Sequence, residues 1–302
     1  LRPTFAYWGW RSAGGAPEGP ILSAAAALEF LQACALIHDD VMDGSDTRRG
    51  KPAAHRRLAS MHRAHGYLGS PEDFGVGSAI LLGDLCLSWS DELLMASGLP
   101  PAALAAAKPI FDEMRTELMA GQYLDLLEQV RGDYSLDSAL QVARYKSAKY
   151  TVERPLHIGA AAAGADDAHL DQLSAFGIPL GEAFQLRDDM LGVYGDPQET
   201  GKPAGDDLRE GKRTALVAIA WERADAFQRD LLRQHLGDPA ITPSMVDALR
   251  DVITETGAQA AVEQMIDDRT ATCREVVAAM DIDEQTRAAF DRLLILATRR
   301  SA

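Results

Sequence analysis

The sequence predicts an all-α protein, and three observations predict it. Apolar residues recur at helical spacing along almost the whole chain, alternating strand-like runs are nearly absent, and alanine dominates the composition. Residues 77–94 show the pattern well, with Ile80, Leu81, Leu85, Trp89 and Leu93 on one broad stripe. Val142, Tyr145, Ala148 and Lys149 repeat it further on. Glycine and proline punctuate the chain near 14–20, 97–101, 195–205 and 237–243. The intervals between hold roughly ten helices, many longer than the ~11-residue mean. No stretch reads as a linker, so a single domain over residues 1–302 is expected. The chain opens at Leu1 without a methionine, and its N-terminus is expected to be incomplete.

Composition sets the outer bounds. A chain of 302 residues can form one large core, and 47% hydrophobic with 25% charged residues excludes both disorder and a small disulfide scaffold. Cys34, Cys86 and Cys273 are odd in number and scattered, which reads as reduced and buried, in a cytoplasmic setting. Thirty basic against 45 acidic residues leave a net charge of −15, which excludes non-specific nucleic-acid binding and a basic membrane-surface face. The most apolar long run, 21–37, is interrupted by Glu29 and Gln32, so no integral membrane segment is expected.

Two aspartate clusters follow apolar helical stretches: Asp39, Asp40 and Asp43, and then Asp188 and Asp189. Residues i and i+4 share a helix face, so Asp39 and Asp43 should project side by side with Asp40 turned aside. Like charges at that spacing repel unless something positive fills the gap. Hard carboxylate oxygens suit Mg²⁺, which binds through one or two carboxylates plus substrate phosphates. Arg48 and Arg49 come next, in a segment that Gly44, Gly50 and Pro52 mark as a loop. Arginine forks recognise phosphate bidentately. The plainer readings are a solvated helix end for the aspartates and pairing with Asp43 or Asp46 for the arginines. After the second cluster, Lys202 and Lys212 sit on a Gly-rich segment that can approach phosphate closely. A self-paired exposed loop suits Glu210 and Arg209 better than Asp188, which reads as buried in an apolar helix. Lys146 alone reads as a solvated helix lysine.

Together these residues resemble the trans-isoprenyl diphosphate synthases, or polyprenyl synthetases, and within them the geranylgeranyl diphosphate synthases. The resemblance runs along nearly the whole chain, in order and spacing. It is carried by Leu1-Arg2-Pro3, by Ile37-His38-Asp39-Asp40-Val41-Met42-Asp43 with Thr47-Arg48-Arg49-Gly50-Lys51-Pro52, by Gly83-Asp84 and by Lys146-Ser147. Phe184-Gln185 with Arg187-Asp188-Asp189, Gly201-Lys202, Asp206-Asp207 and Gly211-Lys212-Arg213-Thr214 complete it.

The resemblance implies a helical bundle of the isoprenoid synthase type, with two aspartate-bearing helices facing across a deep cavity. It implies a homodimeric prenyltransferase that condenses isopentenyl diphosphate head-to-tail with dimethylallyl, geranyl or farnesyl diphosphate. Ionisation of the allylic substrate would be assisted by three Mg²⁺, two held by Asp39 and Asp43 and one by Asp188, with Asp40 and Asp189 in support. Arg48, Lys146 and Lys202 match positions that hold the allylic diphosphate, with Lys212 nearby. Arg2, Gln32 and Arg49 match those that hold isopentenyl diphosphate, and Ser147 and Gln185 join the substrate-binding set. His38 and His55 read as structural.

Three departures from the family pattern stand out. The Gly-Gly-Lys that precedes Arg2 in relatives is absent from this sequence. Gly192 replaces the last aspartate of the second cluster, so weaker chelation is expected there, and Gly192→Asp is expected to be tolerated. The first cluster has no insertion. Each helical turn back from Asp39 lies about 5.4 Å deeper in such a cavity. Cys34 and Ala35 are small, Leu31 follows, and Trp89 on a neighbouring helix could close the pocket. A product longer than farnesyl diphosphate is expected, geranylgeranyl diphosphate first, with longer polyprenyl or farnesyl diphosphate as alternatives. A class I terpene cyclase would carry an Asn/Asp, Ser/Thr, Glu triad in place of the second cluster. A non-catalytic partner subunit would lose one or both clusters.

Overall fold

A computed structural model describes residues 1–132, 134–195, 205–238 and 240–299 of the chain. Apart from one two-residue hairpin, the regular elements described are helical. In order they are α1 (Arg2–Ser12), α2 (Ile21–Met42), α3 (Ala54–Ala64), α4 (Pro71–Met95), α5 (Pro101–Arg131) and α6 (Leu136–Val142). A π-helix (Ala143–Glu153) leads into α7 (Arg154–Ala162) and α8 (Asp167–Tyr194). Then come α9 (Asp206–Glu210), α10 (Ala215–Arg223), α11 (Ala226–His235), α12 (Pro243–Glu255), α13 (Ala258–Ala279) and α14 (Glu284–Thr298).

Local chemistry sets many of these boundaries. Proline occupies the first turn of α1, α4, α5 and α12, where its missing N–H costs nothing. Ser70, Ser135, Asp166, Thr214, Asp225, Thr242 and Asp283 cap helix N-termini by accepting a backbone N–H three residues on. The segment after α2 is a tight hairpin rather than a loop: Thr47 pairs with Pro52, and Arg48 with Lys51. Its turn residues, Arg49 and Gly50, have φ of +52° and +69°. Both central residues of a type I′ turn need positive φ, which a glycine adopts freely and an arginine does not.

The sequence misleads about α4. Its buried face is the small-residue stripe Gly75, Ala79, Gly83, Cys86 and Ser90, ending in Leu94, while Ile80, Leu81, Leu85 and Trp89 point outward. Small residues win because α2 and α4 pack closely. A Cβ at Gly83 would lie 2.1 Å from the His38 ring, and Ser90 Oγ donates to the Ala27 carbonyl at 2.6 Å. The π-helix is likewise an unforeseen variant of the expected α-helical stripe. It is wedged between two glycines: a Cβ at Gly121 of α5 would stand 2.5 Å from the Lys146 nitrogen, and one at Gly181 of α8 2.4 Å from the Ala148 Cα. Wide π-turns are uncommon and concentrate at functional sites.

Packing places the cavity. α2 lies against α1 and α4, and α8 against the π-helix and α13. α5 backs the π-helix and α7. One apolar cluster joins α1, α2, α5 and α7 around Leu28, Leu31, Phe111 and Met114. A second binds α7, α8, α13 and α14 around Phe176 and Phe290, and a third gathers α9 to α13 onto the end of α8. α2 and α8 make no extensive contact with each other, and the space between them is open. By length and composition α2 could cross a membrane, yet 39% of its most apolar stretch is buried and it packs on α1 and α4. All three cysteines are free and buried, as their scatter implied.

Candidate active site

A cavity of about 540 Å³ opens between α2, α5, the π-helix and α8. Asp39 from α2 and Asp188 and Asp189 from α8 line it, with Arg48, Arg49, Lys146 and Lys212. The two sequence clusters therefore meet across one space.

The first cluster divides its carboxylates among different surroundings. Asp39 is four-fifths buried and lies 3.1 Å from Lys146 Nζ. Asp40 is turned away as expected, and buried, where it accepts Arg48 Nε at 2.9 Å. Burial disfavours the Arg48 charge, but the Asp40 hydrogen bond and the Asp40 and Asp39 charges outweigh it, and the guanidinium pKa rises. Arg48 thus bonds Asp40, not the Asp43 or Asp46 of the plain reading; Asp46 takes Arg56 instead, at 2.6 Å. Asp43 closes the end of α2 just behind the cavity wall, with its side chain 3% exposed and 3.9 Å from Lys212. Its Oδ1 is buried without a hydrogen-bond partner. Burial, then the Asp39 charge, pushes its carboxyl up to about 6, against Lys212 and Lys146.

The second cluster inverts one expectation. Asp188, read from sequence as buried, is exposed to the cavity, and Asp189 is the buried one. The helix turns Asp189 inward, where it accepts Gln185 Nε2 at 2.7 Å. Gln185 Oε1 in turn takes the Ser147 hydroxyl, tying α8 to the π-helix. Burial, then the Asp207 charge, holds the Asp189 carboxyl well above the usual range. Gly192 is not a spare position. A Cβ there would lie 1.8 Å from Asp207 Oδ2, so Gly192→Asp, expected to be tolerated, requires the Asp207 carboxylate to swing aside.

The cations are held by anions. Lys146 Nζ sits 2.6 Å from Asp125 and 3.1 Å from Asp39, and those charges raise its pKa although burial opposes them. Lys146 is thus not the solvated lysine of the plain reading. Lys212 lies 3.3 Å from Asp207 and 2.5 Å from Glu210. Burial opposes its charge, but Asp207, Glu210 and Asp43 raise it well above the ordinary value. Lys202 lies outside the described residues.

At the other side, Arg2 and Gln32 converge on Tyr150. The Arg2 guanidinium stacks 4.0 Å from the ring centroid and donates to Thr151 Oγ1 at 2.8 Å. Tyr150 donates to Gln32 Oε1 at 2.9 Å, and burial pushes the phenol up to about 12. Leu31, Cys34 and Ala35 line the cavity, facing Leu118 and Met119 of α5. Trp89 does not. It sits on the outer face of α4, 42% exposed, with its ring edge-on to Phe30 at 5.9 Å. Trp89 is therefore removed from the pocket-closing residues. Sequence reasoning missed Asp125, Leu118, Met119, Tyr150 and Thr151, and gave Asp207 no role of its own. The signal for Asp125 was a lone acid inside the apolar run 124–127.

Fold and site define an all-α protein with a deep cavity, its mouth crowded with paired carboxylates and cations and its floor apolar. The chain belongs to the polyprenyl synthetase family, whose profile matches residues 1–253. It is 32% identical to geranylgeranyl diphosphate synthase of Mycobacterium tuberculosis over 85% of this chain and 69% of that one. It is 34% identical to geranylfarnesyl diphosphate synthase of Natronomonas pharaonis over 68% of this chain, but spans only 55% of that protein's length. Among solved structures, a Corynebacterium glutamicum geranylgeranyl pyrophosphate synthase, complexed with isoprenyl diphosphate and magnesium, superposes with a TM-score of 0.96 at 44% identity. That match covers 99% of this chain and 86% of the other.

Proposed function

We propose that the protein is a trans-prenyltransferase joining isopentenyl diphosphate to an allylic diphosphate, with geranylgeranyl diphosphate as product. The observation that carries this reading is the meeting of Asp39 and Asp188 across one cavity, with Lys146, Arg48 and Lys212 beside them. The donors suit Mg²⁺. They are hard carboxylate oxygens, and Asp43 keeps one buried oxygen without a partner. Among the described residues no three His, Cys, Asp or Glu side chains converge to hold an ion unaided. Mg²⁺ completes its shell with water and substrate phosphate, so one or two carboxylates at each ion suffice. Asp39, Asp43 and Asp188 would hold Mg²⁺, with Asp40 and Asp189 in support, in the three-ion arrangement of the family. Bound there, Mg²⁺ neutralises charge on the departing diphosphate.

The chain's own residues do the rest. Arg48 and Lys146, with Lys202 and Lys212, hold the allylic diphosphate by charge-assisted hydrogen bonds that strengthen as negative charge builds on it. Arg2, Gln32 and Arg49 hold isopentenyl diphosphate at the adjacent wall. Ser147 and Gln185 position the two helices. The apolar floor of Leu31, Cys34, Ala35, Leu118 and Met119 takes the prenyl tail and keeps water from the allylic cation. The double bond of isopentenyl diphosphate attacks that cation, and the proton lost goes to the released diphosphate.

A homodimer is part of this reading. The exposed stripe Ile80, Leu81, Leu85 and Trp89, joined by Leu22 and Phe30, is apolar enough to bury against a second copy. The reading also places the enzyme in the cytoplasm, with no integral membrane segment in these residues. Incubation with isopentenyl and farnesyl diphosphates and Mg²⁺ tests the activity, with products separated by chain length. Elongated prenyl diphosphate is expected. Hydrocarbon from farnesyl diphosphate alone would indicate a cyclase, and silence a partner subunit.

A further inference from the structure

Of the cations that line the cavity, Arg48, Lys146 and Lys212 each meet a carboxylate. Arg213 is held differently. Its side chain lines the same cavity, yet its Nε and Nη1 are buried without a hydrogen-bond partner. What holds it is a stack of rings. The guanidinium carbon stands 4.2 Å from the centroid of Tyr134. Tyr134 in turn lies parallel to Trp221 of α10, with 3.9 Å between centroids and 6° between planes. A planar guanidinium points its N–H groups outward in its own plane, so stacking occupies the flat face and leaves the donors unspent. Arg213 also stands just before Thr214, the N-cap of α10. The N-terminal end of a helix carries partial positive charge and disfavours a cation. A guanidinium with unpaired buried donors beside that end, and next in the chain to Lys212, is costly until an anion reaches it.

We infer that Arg213 is a further diphosphate-binding residue, whose Nε and Nη1 donate to phosphate oxygens in the cavity. The inference rests on the proposed function and deepens it. Tyr134 and Trp221 lie outside the cavity lining, so they are positioning residues that act through Arg213. The ring stack replaces the carboxylates that aim Lys146 and Lys212. It holds the guanidinium in place without neutralising it, and the full charge and both donors stay available to the incoming anion.

Calorimetric binding of inorganic pyrophosphate in the presence of Mg²⁺, with thermal melts of the ligand-free protein, tests this without turnover. Arg213→Met keeps an unbranched side chain against Tyr134 and removes the charge and the donors. It is expected to bind pyrophosphate about tenfold more weakly. Without ligand it is expected to unfold at or above the parent's temperature, because the unpaired buried donors are gone. A purely structural arginine gives the reverse, a lower unfolding temperature with unchanged affinity, and that result overturns the assignment. Arg213→Gln, which keeps a polar group at the ring, is expected to lose affinity to the same degree. Tyr134→Leu is expected to weaken pyrophosphate about threefold. In an Arg213→Met background it should add nothing, since it acts through the guanidinium, and an additive loss there removes Tyr134 from the positioning role. Lys146→Ala serves as the reference. Parental affinity in both Arg213 variants, beside an impaired Lys146→Ala, overturns the role of Arg213. If Lys146→Ala also binds as the parent does, the failure lies with the proposed function itself.

Discussion

Lys146 Nζ stands 2.6 Å from an Asp125 oxygen, so the cation that faces the first aspartate cluster is aimed by a carboxylate 21 residues away on α5. The ammonium is shared, since Asp39 lies at 3.1 Å on its other side. Its substitution therefore removes a preorganised positive charge and leaves two carboxylates facing each other.

Lys146→Ala should lower kcat by about 10²–10³-fold, the usual cost of one preorganised donor to a developing anion. Asp125→Asn keeps the lysine but loosens it, and should cost about tenfold, mostly in the KM for the allylic substrate. Steady-state kinetics on both substrates check this. A Lys146→Ala enzyme with near-parental kcat/KM would remove Lys146 from the chemistry.

Arg48 and Arg49 are neighbours with opposite energetics. Arg48 neutralises the buried Asp40, so Arg48→Ala strands a carboxylate and should destabilise the fold by about 3 kcal/mol. Arg49 sits at φ +52°, a conformation that costs a non-glycine residue about 1 kcal/mol. Arg49→Gly should therefore raise the melting temperature by about 2 °C while raising the KM for isopentenyl diphosphate. A lower melting temperature would refute the strain, and an unchanged KM the binding role.

The fold class was legible because helical periodicity survives in almost every segment. What escaped depended on contacts between distant segments. The π-helix owes its place to Gly121 and Gly181, on helices before and after it, and no local pattern announces that. The α4 face was reversed because hydropathy weighs large residues, whereas close packing on α2 selects Ala79, Gly83 and Ser90. The aspartates and arginines were legible because charge inside apolar helix ends needs a reason. Asp207 was legible as part of the Asp206-Asp207 pair, but its place against Gly192 was not, because a missing side chain makes that contact possible.

Asp43 makes stability depend on pH. Burial and Asp39 raise its carboxyl from 3.8 to about 6, so the folded state of the metal-free protein holds the proton more tightly than the unfolded chain. Between those values the native state binds more protons, so stability falls as pH rises, and above about 6 the penalty is complete. Its size is on the order of 3 kcal/mol. Asp43→Asn should remove this slope and unfold at a higher temperature at pH 7, while abolishing most turnover. Thermal melts from pH 4 to 7 without metal measure it. Identical pH profiles for the two proteins would show that Asp43 is not the titrating group.

The last prediction concerns product length. Ala35 lies one turn behind Asp39 and lines the cavity, as do Leu118 and Met119 from α5. With Trp89 outside, the floor depends on these small and flexible side chains and on Leu31, which is 1% exposed. On α2 no aromatic residue stands one turn behind Asp39, about 5.4 Å away. A phenylalanine at 35 fills that level and leaves Asp39, Lys146 and Arg48 untouched. Ala35→Phe should therefore shift the product from geranylgeranyl toward farnesyl or geranyl diphosphate, with the first condensation proceeding at a rate within about threefold of the parent, since the ionisation machinery is unchanged. Trp89→Ala, outside the cavity, should leave the product distribution where it is. Chromatography of the dephosphorylated prenols distinguishes the outcomes. A folded, active Ala35→Phe enzyme with unchanged products would show that the tail runs along another wall, and the Leu118 and Met119 face would then carry the length limit.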